Sequence, residues 1–387
     1  MSLPSAASPH MTSVMHGPLR NAEEPHDRRY YRGPSAESRF ESMNRDDEHL
    51  SARPTEAALR APSGHPEHPP PGTKRKRGPR PLPPGVPYHR VLADDKRRIW
   101  RGIAALALFI GGMLAFSFVL GFLGAFVDLA LGRSSVLLGG DEFTPIAQAS
   151  GLLGLALLWP WSMLIQRWLY GVKGASLHSV RSLFRADVFG RTLLVILPIW
   201  TIYLAAFSAF SPYEESSWLF ADLIAMFAIT LLLAPLQSAG EEYGFRGLVF
   251  RVAASWGRGA RAGLILGVVV SSLLFMVAHL AFDPWLNLYY FTMGVTLALI
   301  TWRTGGLEVA VVIHAVNNTL AFLITIITRA DFMEGMDRSV GAGSPVMLVP
   351  CVLLIAITAV VWLRTRRTGP ALTPLEAEPA HVVERNL

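Results

Sequence analysis

The sequence predicts an all-α membrane protein: a polytopic bundle of about eight transmembrane helices, preceded by a disordered N-terminal tail. Of its 387 residues, 51% are hydrophobic and 17% are charged, and residues 1–98 alone hold 29 of the charged side chains and 16 of the 27 prolines. The remainder is too apolar for a water-soluble domain. The one cysteine, Cys351, has no partner in the chain, which excludes a disulfide-stapled secreted protein.

The tail comes first and is predicted to span residues 1–95. It is rich in proline and charge and poor in apolar residues, so it cannot bury a core of its own. Residues 74–77 form a basic run, KRKR. Beside an apolar domain, such a run indicates attraction to anionic lipid headgroups, and we expect no nucleic-acid partner.

The membrane domain is predicted over residues 96–368, followed by a C-terminal tail at 369–387. Apolar runs of about 17–25 residues recur along it, the length that crosses about 30 Å of hydrocarbon as a helix. The eight predicted spans are 102–127, 146–165, 192–211, 218–238, 262–282, 286–302, 307–327 and 345–363.

The connecting loops alternate in charge and so predict the topology. Basic loops follow the tail and the second, fourth, sixth and eighth spans, with the single Arg303 after the sixth, whereas the others are acidic or mixed. Because basic loops stay on the cytoplasmic side, this pattern predicts a multi-pass protein of the cell membrane with both termini in the cytoplasm.

Three groups of polar residues lie inside the apolar runs. His279 is centred in FMVAHLAF, His314 in VVIHAVNN, and the stretch EEYGFRG at 241–247 ends the fourth span. Ionisable side chains inside a bilayer are costly and therefore indicate function. The simpler interpretation is that they hydrogen-bond neighbouring helices together, which explains one such residue better than the whole cluster.

Helical spacing predicts which of these groups cooperate. Glu242 and Arg246 are four residues apart, so they share a helix face and can form an ion pair. Glu241 is rotated by about 100° from Glu242 and points elsewhere, free for chemistry. His314 and Asn318 are also four apart, which places an imidazole and a carboxamide side by side.

Two mechanisms suit this set of residues. In the first, Glu241 removes a proton from a water that His279 positions, and His314 with Asn318 donates hydrogen bonds to the developing oxyanion. In the second, His279, His314 and Glu241 hold a zinc ion whose bound water is the nucleophile. No His-Glu-x-x-His sequence is present, so zinc stays an alternative.

Other polar residues in or near the spans have simpler predicted roles. Asp222 is expected at the rim of the fourth span, and Asp283 and Glu308 lie near span ends where they can reach water. Tyr289 and Tyr290 fit an aromatic belt at the membrane interface.

The depth of the two histidines raises a geometric problem. Counted from the ends of their predicted spans, His279 lies about 25 Å deep and His314 about 10 Å. A shared site therefore requires that the fifth span begins nearer Ser271, with residues 248–265 along the membrane interface, or that the helices tilt strongly. We favour the first arrangement.

The three motifs resemble those of the CAAX prenyl protease / bacteriocin-processing (CPBP, or Abi) family of intramembrane proteases. The similarity covers about 218–325 and rests on EEYGFRG, on Phe275-x-x-x-His279 and on His314-x-x-x-Asn318. The resemblance implies a membrane helix bundle with proteolytic activity, described both as metallo- and as glutamate-activated. By position, it assigns the catalytic roles to Glu241, Glu242, Arg246, His279, His314 and Asn318.

The leading functional hypothesis is therefore an intramembrane endopeptidase that cleaves membrane-embedded or lipidated, CAAX-type substrates. The first alternative is a catalytically silent scaffold or bacteriocin-immunity protein with the same fold. A transporter is disfavoured, because repeat-built transporters carry matching broken helices in both halves, and here the polar cluster is confined to the second half.

Overall fold

The chain folds into packed helices without a sheet. The computed structural model describes residues 78–94, 98–140, 142–209, 215–216 and 218–375, and within them only isolated β-bridges occur beside the helices. This confirms the predicted all-α class. The helices are α1 (Ile99–Ala130), α2 (Pro145–Ala156), α3 (Leu158–Tyr170), α4 (Ala186–Ala209), α5 (Phe220–Glu242), a π-helical turn (Tyr243–Val249), α6 (Phe250–Ser255), α7 (Ala260–Ala278), α8 (Pro284–Thr304), α9 (Glu308–Thr328), α10 (Phe332–Gly335) and α11 (Leu348–Thr365).

Seven helical segments of the described chain are long and apolar enough to cross a membrane, so the protein is a multi-pass membrane protein. They coincide with seven of the eight predicted spans. The remaining predicted span, 286–302, lies in α8, which has 21 residues but is not among the seven. The seven are Ile99–Ala130, Pro145–Tyr170, Ala186–Ala209, Phe220–Ser255, Ala260–Ala278, Glu308–Thr328 and Pro345–Thr365.

The two ends of the helical domain lie on the same side. The backbone N–H of Val86 donates to the Thr373 hydroxyl at 3.0 Å, and the Thr373 N–H donates to the Val86 carbonyl at 2.9 Å. Since only an even number of crossings returns the chain to the side where it began, we infer that α8 is the eighth crossing. Its buried positions, among them Thr296 and Thr301, explain why it is less apolar than a helix facing lipid.

Part of the N-terminal segment that the composition predicted to be disordered is folded. Residues 88–90 form a 3-10 turn, and the Tyr88 hydroxyl donates to the Leu177 carbonyl at 2.6 Å. The Arg251 guanidinium stacks 3.7 Å from the centre of the Tyr88 ring. The prediction that the disordered tail reaches residue 95 is therefore wrong for the residues from 78 onward. The rest of the predicted tail, residues 1–77, lies outside the described residues.

The fourth crossing runs without a break from α5 through the π-helical turn into α6. Every residue of the turn is buried, and so are residues 250–254 of α6. The predicted interfacial placement of 248–265 is wrong for residues 248–254, which are enclosed by protein, whereas Arg258 and Arg261 beyond them are exposed. The fifth crossing, α7, begins at Ala260 rather than near Ser271.

A glycine lets α1 approach this crossing closely. A Cβ on Gly244 would lie 2.2 Å from the Phe109 ring, so only glycine fits there. The Phe109 ring meets Phe245 edge to face, with centroids 5.1 Å apart. The contact fixes the π-helical turn against α1.

Candidate active site

Three helices bring the predicted site residues to the centre of the bundle. Glu241 and Glu242 end α5, His314 lies near the middle of α9, and all three are buried, with exposures of 7%, 0% and 2%. Helices α5 and α9 pack directly against each other. The π-helical turn follows Glu242 at once, and such turns inside α-helices occur frequently at functional sites.

Glu242 sits between two cationic or ionisable partners. Its Oε1 lies 2.9 Å from Nη1 of Arg246 and 2.7 Å from Nδ1 of His314. The predicted Glu242–Arg246 ion pair is thus confirmed. Arg246 is itself held by its contact with the Met293 carbonyl at 3.3 Å and by the Phe275 ring, whose centre is 3.9 Å from the guanidinium carbon.

Glu241 faces the same imidazole from its other side. Its Oε2 lies 3.5 Å from Nε2 of His314, and its Oε1 accepts a hydrogen bond from Nε2 of Gln237 at 2.7 Å. The expectation that Glu241 points away from the partners of Glu242 is therefore wrong in one respect, because His314 bridges both carboxylates. Glu241 Oε2 accepts no hydrogen bond from the described residues, and that oxygen is available to a reactant.

His279 reaches the site from the end of α7. Its Nδ1 lies 2.8 Å from the Phe275 carbonyl, which fixes Nδ1–H as the donor and leaves Nε2 unprotonated in the neutral ring. The Phe275 ring contacts both imidazoles, with centroids 4.6 Å from His279 and 5.8 Å from His314. The two histidines therefore share one site despite their different depths along the sequence.

Tyr290 is a site neighbour that the sequence analysis missed. Its ring stacks on His279 with centroids 3.8 Å apart and planes 25° from parallel. The prediction that Tyr290 belongs to an interface belt is wrong, because the side chain is only 8% exposed. Nothing in the sequence around Tyr290 indicates this contact, because it depends on how α8 packs against α7.

Asn318 lies one turn beyond His314, on the same face of α9 as predicted. Its amide does not hydrogen-bond the imidazole: Nδ2 donates to Oε1 of Gln237 at 3.1 Å, and Oδ1 accepts from Asn317 at 3.0 Å. Gln237 thus links Asn318 to Glu241. Gln237 lies at the end of the fourth span, just before EEYGFRG. Its spacing of four residues from Glu241 places both side chains on one helix face, and this spacing could have revealed the contact from the sequence.

The residues do not fit the alternative zinc site. Among the described residues, no group of three His, Cys, Asp or Glu side chains is arranged to hold a metal ion. The chemistry below therefore uses only the protein side chains and water.

Three other acidic residues have structural roles. Asp222 forms an ion pair with Arg133, and Glu308 accepts two hydrogen bonds from the Arg185 side chain, at 2.9 and 2.6 Å. Asp283 caps α8 by accepting from the N–H groups of its first turn. The expectation that Asp283 and Glu308 reach water is wrong, because their exposures are 2% and 0%, whereas Asp222 pairs with a loop arginine at the end of its span.

Comparison with known proteins finds similarity over the part of the chain that runs from α5 into α9. Residues 220–320 match the model of the Rce1-like family, the type II CAAX prenyl endopeptidases. The uncharacterized protein YyaK of Bacillus subtilis (strain 168) is 32% identical over 130 residues, which are 32% of this chain and 41% of the relative. The chain thus spans about two fifths of that relative's length. No solved structure matches the chain significantly.

All six predicted site residues lie inside the matched segment, which runs from the start of α5 to the middle of α9. The resemblance predicted from the three motifs is therefore confirmed over this segment: residues 220–320 are similar to the Rce1-like family of type II CAAX prenyl endopeptidases.

Proposed function

We propose that this protein is an intramembrane endopeptidase that hydrolyses peptide bonds with a glutamate-activated water. One observation carries the proposal: inside an apolar bundle, the imidazoles of His279 and His314 both contact the Phe275 ring, and the buried Glu241 carboxylate lies 3.5 Å from His314. Hydrolysis within a bilayer needs polar groups that hold water next to a buried carbonyl. A helix bundle with a purely structural role needs no such groups.

Glu241 acts as the general base. Its free Oε2 takes a proton from a water as the water oxygen attacks the carbonyl carbon of the scissile bond. The unprotonated Nε2 of His279 accepts the second hydrogen of that water and orients it. The proton held on Glu241 then passes to the departing amine, which leaves both carboxylate and enzyme as they began.

His314 and Asn318 stabilise the oxyanion. His314 donates from Nδ1 to Glu242, so it can donate from Nε2 to the substrate oxygen only with protons on both nitrogens. The ring has a carboxylate neighbour at each nitrogen, Glu242 at Nδ1 and Glu241 at Nε2. Glu242 and Arg246 do not touch the reactant in this scheme, and they hold the imidazole in place.

The substrate class follows from the family and the setting. We propose membrane-embedded or lipidated peptides of the CAAX type, because the matched family is named for prenylated CAAX substrates and the helices around the site are apolar. A peptide carrying a lipid would partition into the bilayer beside the bundle, which raises its concentration near the site.

The decisive experiment compares Glu241→Gln, His279→Ala and His314→Ala in cleavage of a prenylated CAAX peptide by the protein reconstituted in vesicles. We expect each to lower kcat by about 10²–10⁴-fold, the contribution of a general acid or base. Glu215→Gln is the matched control, because Glu215 is exposed and far along the chain from all three motifs. Wild-type activity in all three variants would favour the silent scaffold or immunity protein.

We also propose that both termini face the cytoplasm and that the basic side contacts anionic lipid. The basic run at residues 74–77 lies outside the described residues, so the proposal rests on the charge pattern of the loops. Leu375→Cys tests the orientation, because Leu375 is exposed and the native Cys351 is buried. We expect an impermeant maleimide to label it only after the inner face is opened.

A further inference from the structure

A chain of side-chain hydrogen bonds runs from α4 to the proposed base. Nε1 of Trp200 donates to Oδ1 of Asn317 at 3.1 Å, and Nδ2 of Asn317 donates to Oδ1 of Asn318 at 3.0 Å. Nδ2 of Asn318 donates to Oε1 of Gln237 at 3.1 Å, and Nε2 of Gln237 donates to Oε1 of Glu241 at 2.7 Å. Three helices, α4, α9 and α5, thus meet in one continuous chain.

The indole gives this chain a direction. An amide can turn its oxygen and nitrogen either way, but the indole N–H only donates. The Asn317 oxygen must therefore face Trp200, so its nitrogen faces Asn318. Asn318 and Gln237 are oriented in the same way: the oxygen of each amide accepts from the preceding residue, so its nitrogen donates to the next. The last donor, Gln237 Nε2, therefore donates to an oxygen of Glu241.

The direction has two consequences at the reacting groups. Glu241 is held by Oε1 as a hydrogen-bond acceptor, which leaves Oε2 toward His314. Asn318 has its oxygen occupied and its nitrogen inward, so the second N–H on that nitrogen is left to donate to an oxyanion. If the hydrogen bonds ran in the opposite direction, the Asn318 amide would turn its oxygen to the substrate, and that oxygen would repel the oxyanion.

Burial makes the chain strong and selective. Trp200 is 1% exposed and Gln237 is 5% exposed, whereas Asn317 and Asn318 are partly buried, so water competes least for the bond between Gln237 and Glu241. Hydrogen bonds in such surroundings polarise one another and favour a single arrangement. An unmade bond would leave a buried polar group unpaired, which costs about 1–3 kcal/mol.

We propose that Trp200, Asn317 and Gln237 are positioning residues, which orient the Glu241 carboxylate and the Asn318 amide for peptide hydrolysis. The inference rests on the proposed function, because it assigns roles relative to that reaction. It goes beyond the three motifs, since none of these residues belongs to them.

The test uses variants that keep an acceptor and remove a donor. Gln237→Glu and Asn317→Asp preserve shape and the accepting oxygen, but neither can donate to the next group along the chain. Gln237→Met and Trp200→Phe remove the polar contact with little change of volume. We expect the donor-removing changes at 237 and 317 to lower kcat by about 100-fold, as a misplacement of about 1 Å does, with KM within twofold.

Gln148→Met is the matched control. Gln148 is as buried as Gln237, and its Nε2 donates to the Thr230 hydroxyl at 2.9 Å, which links α2 to α5 away from the site. We expect the same loss of a helix-bridging hydrogen bond there to leave kcat unchanged. An equal fall of kcat in Gln148→Met would overturn the proposal, because general helix packing would explain the effect.

The outcomes separate this proposal from the function it rests on. Inactive Glu241→Gln together with wild-type kcat in Gln237→Glu and Asn317→Asp refutes the positioning role alone. Active Glu241→Gln refutes the proposed function itself. If Gln237→Met does not fold, Trp200→Phe still tests the chain from its far end, with a smaller expected fall in kcat.

Discussion

The Nδ1 atom of His314 lies 2.7 Å from Oε1 of Glu242, an oxygen that also contacts Arg246 at 2.9 Å. A fully buried carboxylate thus serves two partners at once. Without its partners, each of Glu242, Arg246 and His314 would be left as an unpaired buried charge or hydrogen-bond donor. The stability of α5 against α9 and the position of the imidazole therefore depend on the same contact.

Removal of the arginine is expected to be more harmful than removal of the pair. Arg246→Met leaves Glu242 charged and buried, which costs about 3–5 kcal/mol of unfolding free energy. The double variant Glu242→Leu with Arg246→Met also removes that charge, so it should lose less stability than Arg246→Met alone. Thermal or denaturant unfolding in detergent measures both.

An exposed pair supplies the control for this experiment. Arg191 and Asp187 also lie four residues apart on a helix, but their side chains are 74% and 65% exposed. Because water and salt screen such pairs, Arg191→Met should change stability very little. Equal effects of Arg246→Met and Arg191→Met would contradict the assigned role of the buried network.

The packing of α1 on the π-helical turn predicts a difference between two glycines. Gly244→Ala places a methyl 2.2 Å from the buried Phe109 ring, and the overpacking should cost about 1–3 kcal/mol. At Gly247 the nearest atoms to a Cβ are 3.5 Å away. Since alanine favours a helix by up to about 1 kcal/mol over glycine, Gly247→Ala should be neutral or stabilising. A thermal-shift assay of both variants checks the difference.

Tyr290 should matter to activity through its ring and not through its hydroxyl. It stacks on His279, whose orientation decides where Nε2 points. Stacking of this kind contributes about 0.5–1.5 kcal/mol, so Tyr290→Ala should lower kcat by roughly tenfold. Tyr290→Phe keeps the ring and should retain wild-type kcat. A fall of similar size in both variants would show that the hydroxyl acts instead.

The spans and the motif residues were predictable because their information is local. Apolar runs of membrane-spanning length mark the helices, and the pair Glu242–Arg246 follows from a spacing of four residues. His279 and His314 stood out because imidazoles inside apolar runs are unusual. What the sequence could not supply was which faces of α5, α7 and α9 meet.

The positioning residues were missed for that reason. Asn318 and Gln237 are 81 residues apart, and Trp200 and Asn317 are 117 apart, so no local pattern joins them.

The folded part of the N-terminal segment was missed for another reason. Its composition resembles that of the tail, but Tyr88 covers a buried arginine and its hydroxyl has a partner, which composition does not reveal.

Tyr88 should hold the N-terminal segment on the bundle. Tyr88→Phe loses only the hydroxyl bond to Leu177 and should cost about 1 kcal/mol. Tyr88→Ala also uncovers the Arg251 guanidinium and empties the site of the ring, at a cost of about 3–5 kcal/mol. We expect trypsin to cut after Arg90 in Tyr88→Ala but not in the wild type, with the fragments identified by mass spectrometry.

His89 should make the stability of the protein depend on pH. Burial lowers the pKa of His89 from 6.5 to about 4, although its hydrogen bond to the Ala260 carbonyl opposes the shift, and the positive charges of Arg90 and Arg251 reinforce it. The folded state therefore holds the ring neutral, whereas the unfolded chain takes up a proton below about pH 6.5. Since the unfolded state binds more protons in that range, the His89 contribution is complete above pH 6.5 and is lost progressively as the pH falls toward 4.

His89→Gln isolates this contribution, because glutamine can still donate to the Ala260 carbonyl and does not titrate. We expect the thermal midpoint of the wild type to fall faster than that of His89→Gln between pH 6.5 and 4, and the two curves to run parallel above pH 7. Parallel curves over the whole range would show that His89 is protonated equally in the folded and unfolded states.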